Sequence, residues 1–92
     1  MNFEDFAQTC LRLRRDGMEV CKAEYDDSAF GSWFIDFWAR CSSKNRIMWD
    51  GRDARLVLQV QRDAEWQEVW AERERERQTV DLALAHVRSV DH

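Results

Sequence analysis

Apolar residues near the start of the chain recur at intervals of three and four positions, the spacing that aligns side chains on one face of a helix. Asn2 is a suitable N-cap before this stripe, and Gly17 is a typical helix stop after it. The pattern therefore predicts an amphipathic helix over residues 2–16. Its apolar stripe comprises Phe3, Phe6, Ala7, Cys10 and Leu11.

Further along, alternation and a high content of β-branched and aromatic residues are typical of strands. The strongest strand pattern spans residues 30–40, with Trp33, Ile35 and Phe37 on one face and Phe34 and Trp38 on the other. A strand that is apolar on both faces is central, covered twice, or exposes one face to a partner. The other predicted strands are residues 18–25, 46–49, 55–61 and 66–72, and the Asp-Gly pair at residues 50–51 favours a hairpin.

Residues 63–90 allow two interpretations. One long helix would continue the stripe of Trp66 and Trp70 at positions that are charged instead, namely Arg73, Glu74 and Arg77. We therefore prefer a turn at residues 62–65, a strand over 66–72 and a helix with Thr79 as its N-cap. The chain is then a single two-layer α+β domain over residues 1–92, with an N-terminal helix, a four- or five-stranded antiparallel meander and a C-terminal helix.

Charge changes this picture, because acids and bases are segregated along the chain. The net charge is −4, which disfavours a nucleic-acid binder. Residues 16–39 hold six acids and one base, whereas residues 40–62 hold six bases and two acids. Acids on the first two strands would form a negative surface that attracts a basic partner, or a merely solvated strand face. The alternating charges of residues 72–77 predict a solvated segment.

Five tryptophans are more than so small a core easily accommodates. We expect Trp38 and Trp49 on an open face of the sheet, as anchors for a protein partner. With the acids, the predicted partner-binding residues are Glu24, Asp26, Asp27, Asp36, Trp38, Trp49, Asp50 and Asp53.

Residues for catalysis or metal binding are not grouped in any recognisable pattern. Cys10 and Cys21 are expected in the core, and Cys41 borders a loop; an odd number of cysteines favours a reducing compartment. His86 and His92 are spaced too far apart to share a helix face as metal ligands. We therefore predict no catalytic residue, no metal site and no cofactor in a cytoplasmic protein without a signal peptide or membrane span.

The order of sequence segments after the first helix resembles a family of bacterial immunity proteins. The segments are WFIDFWAR, IMWDGRDARLVLQV, WQEVW and TVDLALAHV, within residues 17–90. They resemble the TriTu-type immunity proteins of polymorphic-toxin systems. The resemblance implies a cytoplasmic antidote that binds a cognate protein toxin and blocks its active site or substrate surface. We also predict a monomer or weak dimer that contacts neither nucleic acid directly nor a membrane. A basic nuclease is one toxin class that would match the acidic strands.

Three other functions are compatible with the sequence. One is a phage-encoded inhibitor of a bacterial defence complex, such as an anti-CRISPR protein. Another is a small ligand-binding domain, for which Asp36 between Phe34 and Trp38 is the candidate residue. The third is a dimeric secretion chaperone.

Overall fold

A five-stranded antiparallel sheet between two terminal helices organises the chain in the computed structural model, which describes residues 1–39, 43–73 and 79–90. The strands follow one another in the sheet in the order β1-β2-β3-β4-β5. This confirms the predicted α+β fold, and also the interpretation of residues 63–90 as a turn, a strand and a helix. The elements are α1 (Phe3–Arg15), β1 (Glu19–Asp26), β2 (Ser32–Trp38), β3 (Lys44–Asp50), β4 (Arg55–Arg62), β5 (Glu65–Arg73) and α2 (Thr79–Val90).

Helix α1 has defined ends at the positions predicted from the sequence. The Asn2 side chain accepts a hydrogen bond from the Asp5 backbone N–H at 3.0 Å, and the Asp5 carboxylate accepts one from the Asn2 N–H at 2.8 Å. This reciprocal capping box satisfies two otherwise unpaired donors and is worth about 1 kcal/mol. At the other end, Gly17 adopts a left-handed φ of 85°, which glycine tolerates without steric cost.

Both helices pack on the same face of the sheet and enclose the hydrophobic core. Helix α1 lies on β1, and α2 lies on β4 and β5. Because strand side chains alternate, every second residue of the strands contributes to this core, and each large side chain buried there stabilises the fold by about 1.5–3 kcal/mol. The buried cluster comprises Leu13, Met18, Trp33, Ile35, Phe37, Ile47, Trp49, Leu56, Leu58, Ala83, Leu84 and Val87.

Two β-bulges, one in β1 and one in β5, change which side chains reach the core. In β1, Val20 pairs with Phe37 and Lys22 pairs with Asp36, which leaves Cys21 as an extra residue between them. Val20 therefore packs against the core and Cys21 is exposed, so the prediction of a buried Cys21 is wrong. Cys10 packs partly against the core as expected, whereas Cys41 lies outside the described residues.

Candidate binding face

The second face of the sheet, called here the open face, has neither helix packed on it. Strand pairing arranges its side chains in rows that cross the sheet. One row is Glu24, Phe34, Met48, Val57 and Ala71, and the next is Lys22, Asp36, Arg46, Gln59 and Glu68.

Arg46 lies at the centre of the open face in a fixed position. Its Nε donates to Asp36 Oδ1 at 2.6 Å, and its Nη2 donates to Asp36 Oδ2 at 3.0 Å. Its guanidinium carbon is 4.6 Å from the centroid of the Phe34 ring and 4.3 Å from that of the Trp66 ring. A bidentate ion pair thus stacks between two aromatic rings and links β2, β3 and β5. Hydrogen bonding to Asp36 raises the pKa of Arg46, with smaller coulombic contributions from Asp36 and Glu24.

Two lysines lie over aromatic rings beside this assembly. Lys22 Nζ is 5.6 Å from the centroid of the Phe34 ring, and Lys44 Nζ is 6.0 Å from that of Trp38. Trp38 is 41% exposed, as expected for a residue on the open face. Exposed rings with nearby cations combine apolar contact area with polar groups at low entropic cost, as protein-binding surfaces do.

The expected negative surface does not extend across the first two strands. Lys22 and Arg46 lie on either side of Asp36 in the same row. Asp36 is only 3% exposed, and both of its carboxylate oxygens are bonded to Arg46. Asp36 was predicted as a partner-binding residue, but it is buried and acts by holding Arg46 in place.

The remaining predicted acids gather at one end of the sheet, at the β1–β2 loop and the β3–β4 turn. Asp26 Oδ1 accepts hydrogen bonds from the Ser28 hydroxyl at 2.6 Å and the Ser28 N–H at 3.0 Å, which lower the pKa of Asp26. Asp50 Oδ1 accepts from the Arg52 N–H at 3.0 Å and the Asp53 N–H at 3.3 Å. The acids at this end are Glu24, Asp26, Asp27, Asp50 and Asp53.

A groove of about 270 Å³ opens between these acids. The β1–β2 loop and the β3–β4 turn meet there, because Ser32 Oγ accepts a hydrogen bond from the Gly51 N–H at 2.9 Å. Gly51 is required at this contact, since a Cβ atom in its place would lie 2.0 Å from the carbonyl oxygen of Phe30. The groove is lined by Glu24, Asp26, Ala29, Ser32, Trp33, Phe34, Met48, Trp49 and Asp50.

The prediction that Trp49 is an open-face anchor is wrong. Trp49 is 3% exposed and pairs in register with Trp33 and Leu56, all three on the face covered by the helices. The sequence already indicated the buried position of Trp49, because it lies two residues after Ile47 and residues two apart in a strand share a face. The candidate-site residues that sequence reasoning missed are Phe34, Arg46 and Trp66, because their proximity depends on strand register, which the sequence does not show directly.

The described residues include one thiol with a shifted pKa, that of Cys10. Burial raises the pKa of Cys10, which makes it a poor nucleophile, although Arg14 partly opposes the effect. Within residues 1–39, 43–73 and 79–90, no three His, Cys, Asp or Glu side chains are grouped so as to hold a metal ion. His92 lies outside the described residues.

Two further findings concern membrane-spanning helices and known relatives. Neither helix of the described chain has the length and apolar character needed to cross a membrane. Comparison with protein-family models, with curated proteins and with solved structures finds no match to this chain.

Proposed function

We propose that this protein is a stoichiometric inhibitor of the immunity type, which binds a protein toxin in the cytoplasm through its open face and catalyses no reaction. The observation that carries the proposal is the stack of Arg46 between Phe34 and Trp66, with the exposed Trp38 beside it. Tryptophan and arginine are the residue types that contribute most to protein–protein affinity.

Preorganisation strengthens the case for this face. A partner that binds it does not have to immobilise Arg46, because Asp36 and two rings already hold the side chain in place. Each long side chain that is already ordered saves about 0.5–1.5 kcal/mol of the entropic cost of association.

The size of the open face also fits a specific interface. Five strands spaced by about 4.8 Å, each rising by about 3.3 Å per residue, give a projected area of about 600 Å². With side-chain relief and the adjoining loops, this approaches the roughly 800 Å² that each partner contributes to a standard interface. The resemblance to immunity proteins and the acidic loop end support a toxin with a basic surface as the partner.

Co-expression with a candidate toxin, sought as the product of a gene adjacent to that of this chain, tests the proposal. We expect protection of the cells and a 1:1 complex by light scattering. Trp38→Ala should weaken the complex at least roughly 30-fold, because an anchoring tryptophan contributes about 2 kcal/mol or more. Its thermal midpoint should change by only a few degrees, since the side chain is 41% exposed in the free protein.

Leu82→Ala is the matched control, because Leu82 is an exposed apolar residue of α2, away from the open face. This variant should bind and protect like the unmodified chain. Failure of the unmodified chain to protect, or equal affinity of the Trp38 and Leu82 variants, would contradict the proposal.

A further inference from the structure

We propose that the groove at the loop end of the open face receives an arginine side chain of the protein partner. This inference rests on the proposed function, since it names the chemistry by which the partner is recognised. The groove adjoins the Arg46 stack through Phe34, which belongs to both. It therefore extends the open face and would be covered in the same complex.

The groove combines an apolar base with an acidic rim. Phe34 and Met48 are neighbours in register across β2 and β3, and both are half-buried. Glu24, Asp26 and Asp50 supply carboxylates around them. An arginine side chain has the matching parts, because its aliphatic stem packs on apolar surface while its guanidinium binds carboxylates through paired hydrogen bonds.

The carboxylates of the rim are available to a cation. Asp26 and Asp50 each accept hydrogen bonds through Oδ1 within their own turns. A carboxylate has about four lone-pair sites, so both groups keep acceptor capacity for a cation. The groove lining includes no basic residue. Two nearby guanidinium groups form ion pairs with acids outside the groove, Arg46 with Asp36 and Arg55 with Glu68 at 2.5 Å.

Arginine fits better than lysine because this face already holds a guanidinium in a similar setting. Arg46 stacks on Phe34 while one edge of its planar group donates two hydrogen bonds to a carboxylate. The groove offers Phe34 and three carboxylates, with the guanidinium to be supplied by the partner. A lysine ammonium lacks the flat, two-pronged shape that uses such a site fully.

The test is an NMR titration of the complete ¹⁵N-labelled chain with the capped peptide Gly-Gly-Arg-Gly-Gly. We expect the amide signals of Ser32 and Gly51 to shift, with half-saturation on the order of 1 mM for a single side chain. The same peptide with citrulline, which has arginine's shape without its charge, should bind at least roughly tenfold more weakly. No shift at the groove, or tighter binding of the corresponding lysine peptide, would overturn the proposal.

Two double variants separate the groove from the general acidity of this end. Asp26→Asn/Asp50→Asn removes two rim charges, while the amide oxygens can still accept the turn hydrogen bonds, so the fold is retained. Asp27→Asn/Asp53→Asn makes the same change in net charge at two exposed acids outside the groove lining. The first variant should lose at least roughly tenfold in peptide affinity and the second less than about twofold. Equal losses would overturn the proposal.

The same variants distinguish failure of this inference from failure of the proposed function. If Asp26→Asn/Asp50→Asn binds the toxin normally while Trp38→Ala does not, the groove assignment is wrong and the open face is still the inhibitory surface. If the arginine peptide binds the groove but the chain forms no toxin complex, the groove assignment holds and the proposed function is wrong.

Discussion

Removing the guanidinium at position 46 tests how the open face is held together. In Arg46→Met the apolar stem remains between Phe34 and Trp66, but Asp36 loses both of its hydrogen-bond donors. The Asp36 side chain is only 4% exposed, so water cannot replace those donors fully. The substitution therefore leaves a buried carboxylate without a counter-charge.

The expected loss is large for a domain of 92 residues. Breaking a buried ion pair from one side costs about 3–5 kcal/mol. Arg46 is 25% exposed, and some water reaches the pair, so the lower end of that range applies. Protonation sets a ceiling, because neutralising a carboxyl with an ordinary pKa of about 3.9 costs about 4 kcal/mol at pH 7. We expect a loss of about 3 kcal/mol at pH 7.

The sign of the pH dependence follows from proton binding. The orphaned carboxyl of the variant should titrate at a higher pH than the same group in the unfolded chain, because burial disfavours its charged form. Between about pH 4 and that raised pKa, the folded variant binds more protons than the unfolded chain. The difference in the free energy of unfolding between Arg46→Met and the unmodified protein should therefore shrink as the pH falls from 7 to 5.

Urea unfolding followed by tryptophan fluorescence at pH 7 and pH 5 measures both effects. Asp36→Val/Arg46→Met should recover most of the stability, because apolar replacement of a buried pair is often nearly neutral. Arg55→Met is the control, since its pair with Glu68 is 43% and 44% exposed and should contribute less than about 1 kcal/mol. A loss below about 1 kcal/mol for Arg46→Met, or a loss independent of pH, would refute the reasoning.

Three further substitutions test the turns. Ala64→Gly should raise the free energy of unfolding by about 0.5–1 kcal/mol, because Ala64 has a φ of 66° in a two-residue turn that favours glycine; an unchanged urea midpoint would contradict this. Gly51→Ala should lower the free energy of unfolding by at least about 2 kcal/mol in the same assay, because its Cβ would collide with the Phe30 carbonyl. An unchanged free energy of unfolding would contradict this clash. Ser28→Ala should raise the lowered pKa of Asp26 toward its ordinary value in a ¹³C NMR titration, since the Ser28 hydroxyl hydrogen bond is its largest cause.

The order of elements was predictable because local patterns decide it. Alternation in β2 placed Phe34 and Trp38 opposite Trp33, and the structure confirms that division. The charged residue Arg73, where a helical stripe required an apolar one, correctly indicated a strand before α2. Such signals depend only on neighbours within a few positions and need no knowledge of tertiary contacts.

The candidate site was less predictable because it depends on contacts between strands. The sequence shows that Asp36 and Arg46 carry opposite charges, but their pairing requires the register of β2 on β3. Counting acids along one segment therefore overestimated the negative charge of the surface. Trp49 was misplaced for a different reason, because counting tryptophans ignored the alternation within β3, which is visible in the sequence.

The bulge in β5 shows how one irregularity shapes the open face. Trp66 and Trp70 are four residues apart and would share a face in a regular strand. The register shift opposite Leu58 and Gln59 inserts Val69 as an extra residue, so Trp70 packs toward the core and Trp66 turns to the open face. Arg46 contacts the Trp66 ring only because the bulge directs Trp66 to the open face. The stack that supports the proposed function thus depends on a local break in the two-residue alternation of β5. The pattern of apolar residues in the sequence does not reveal this break.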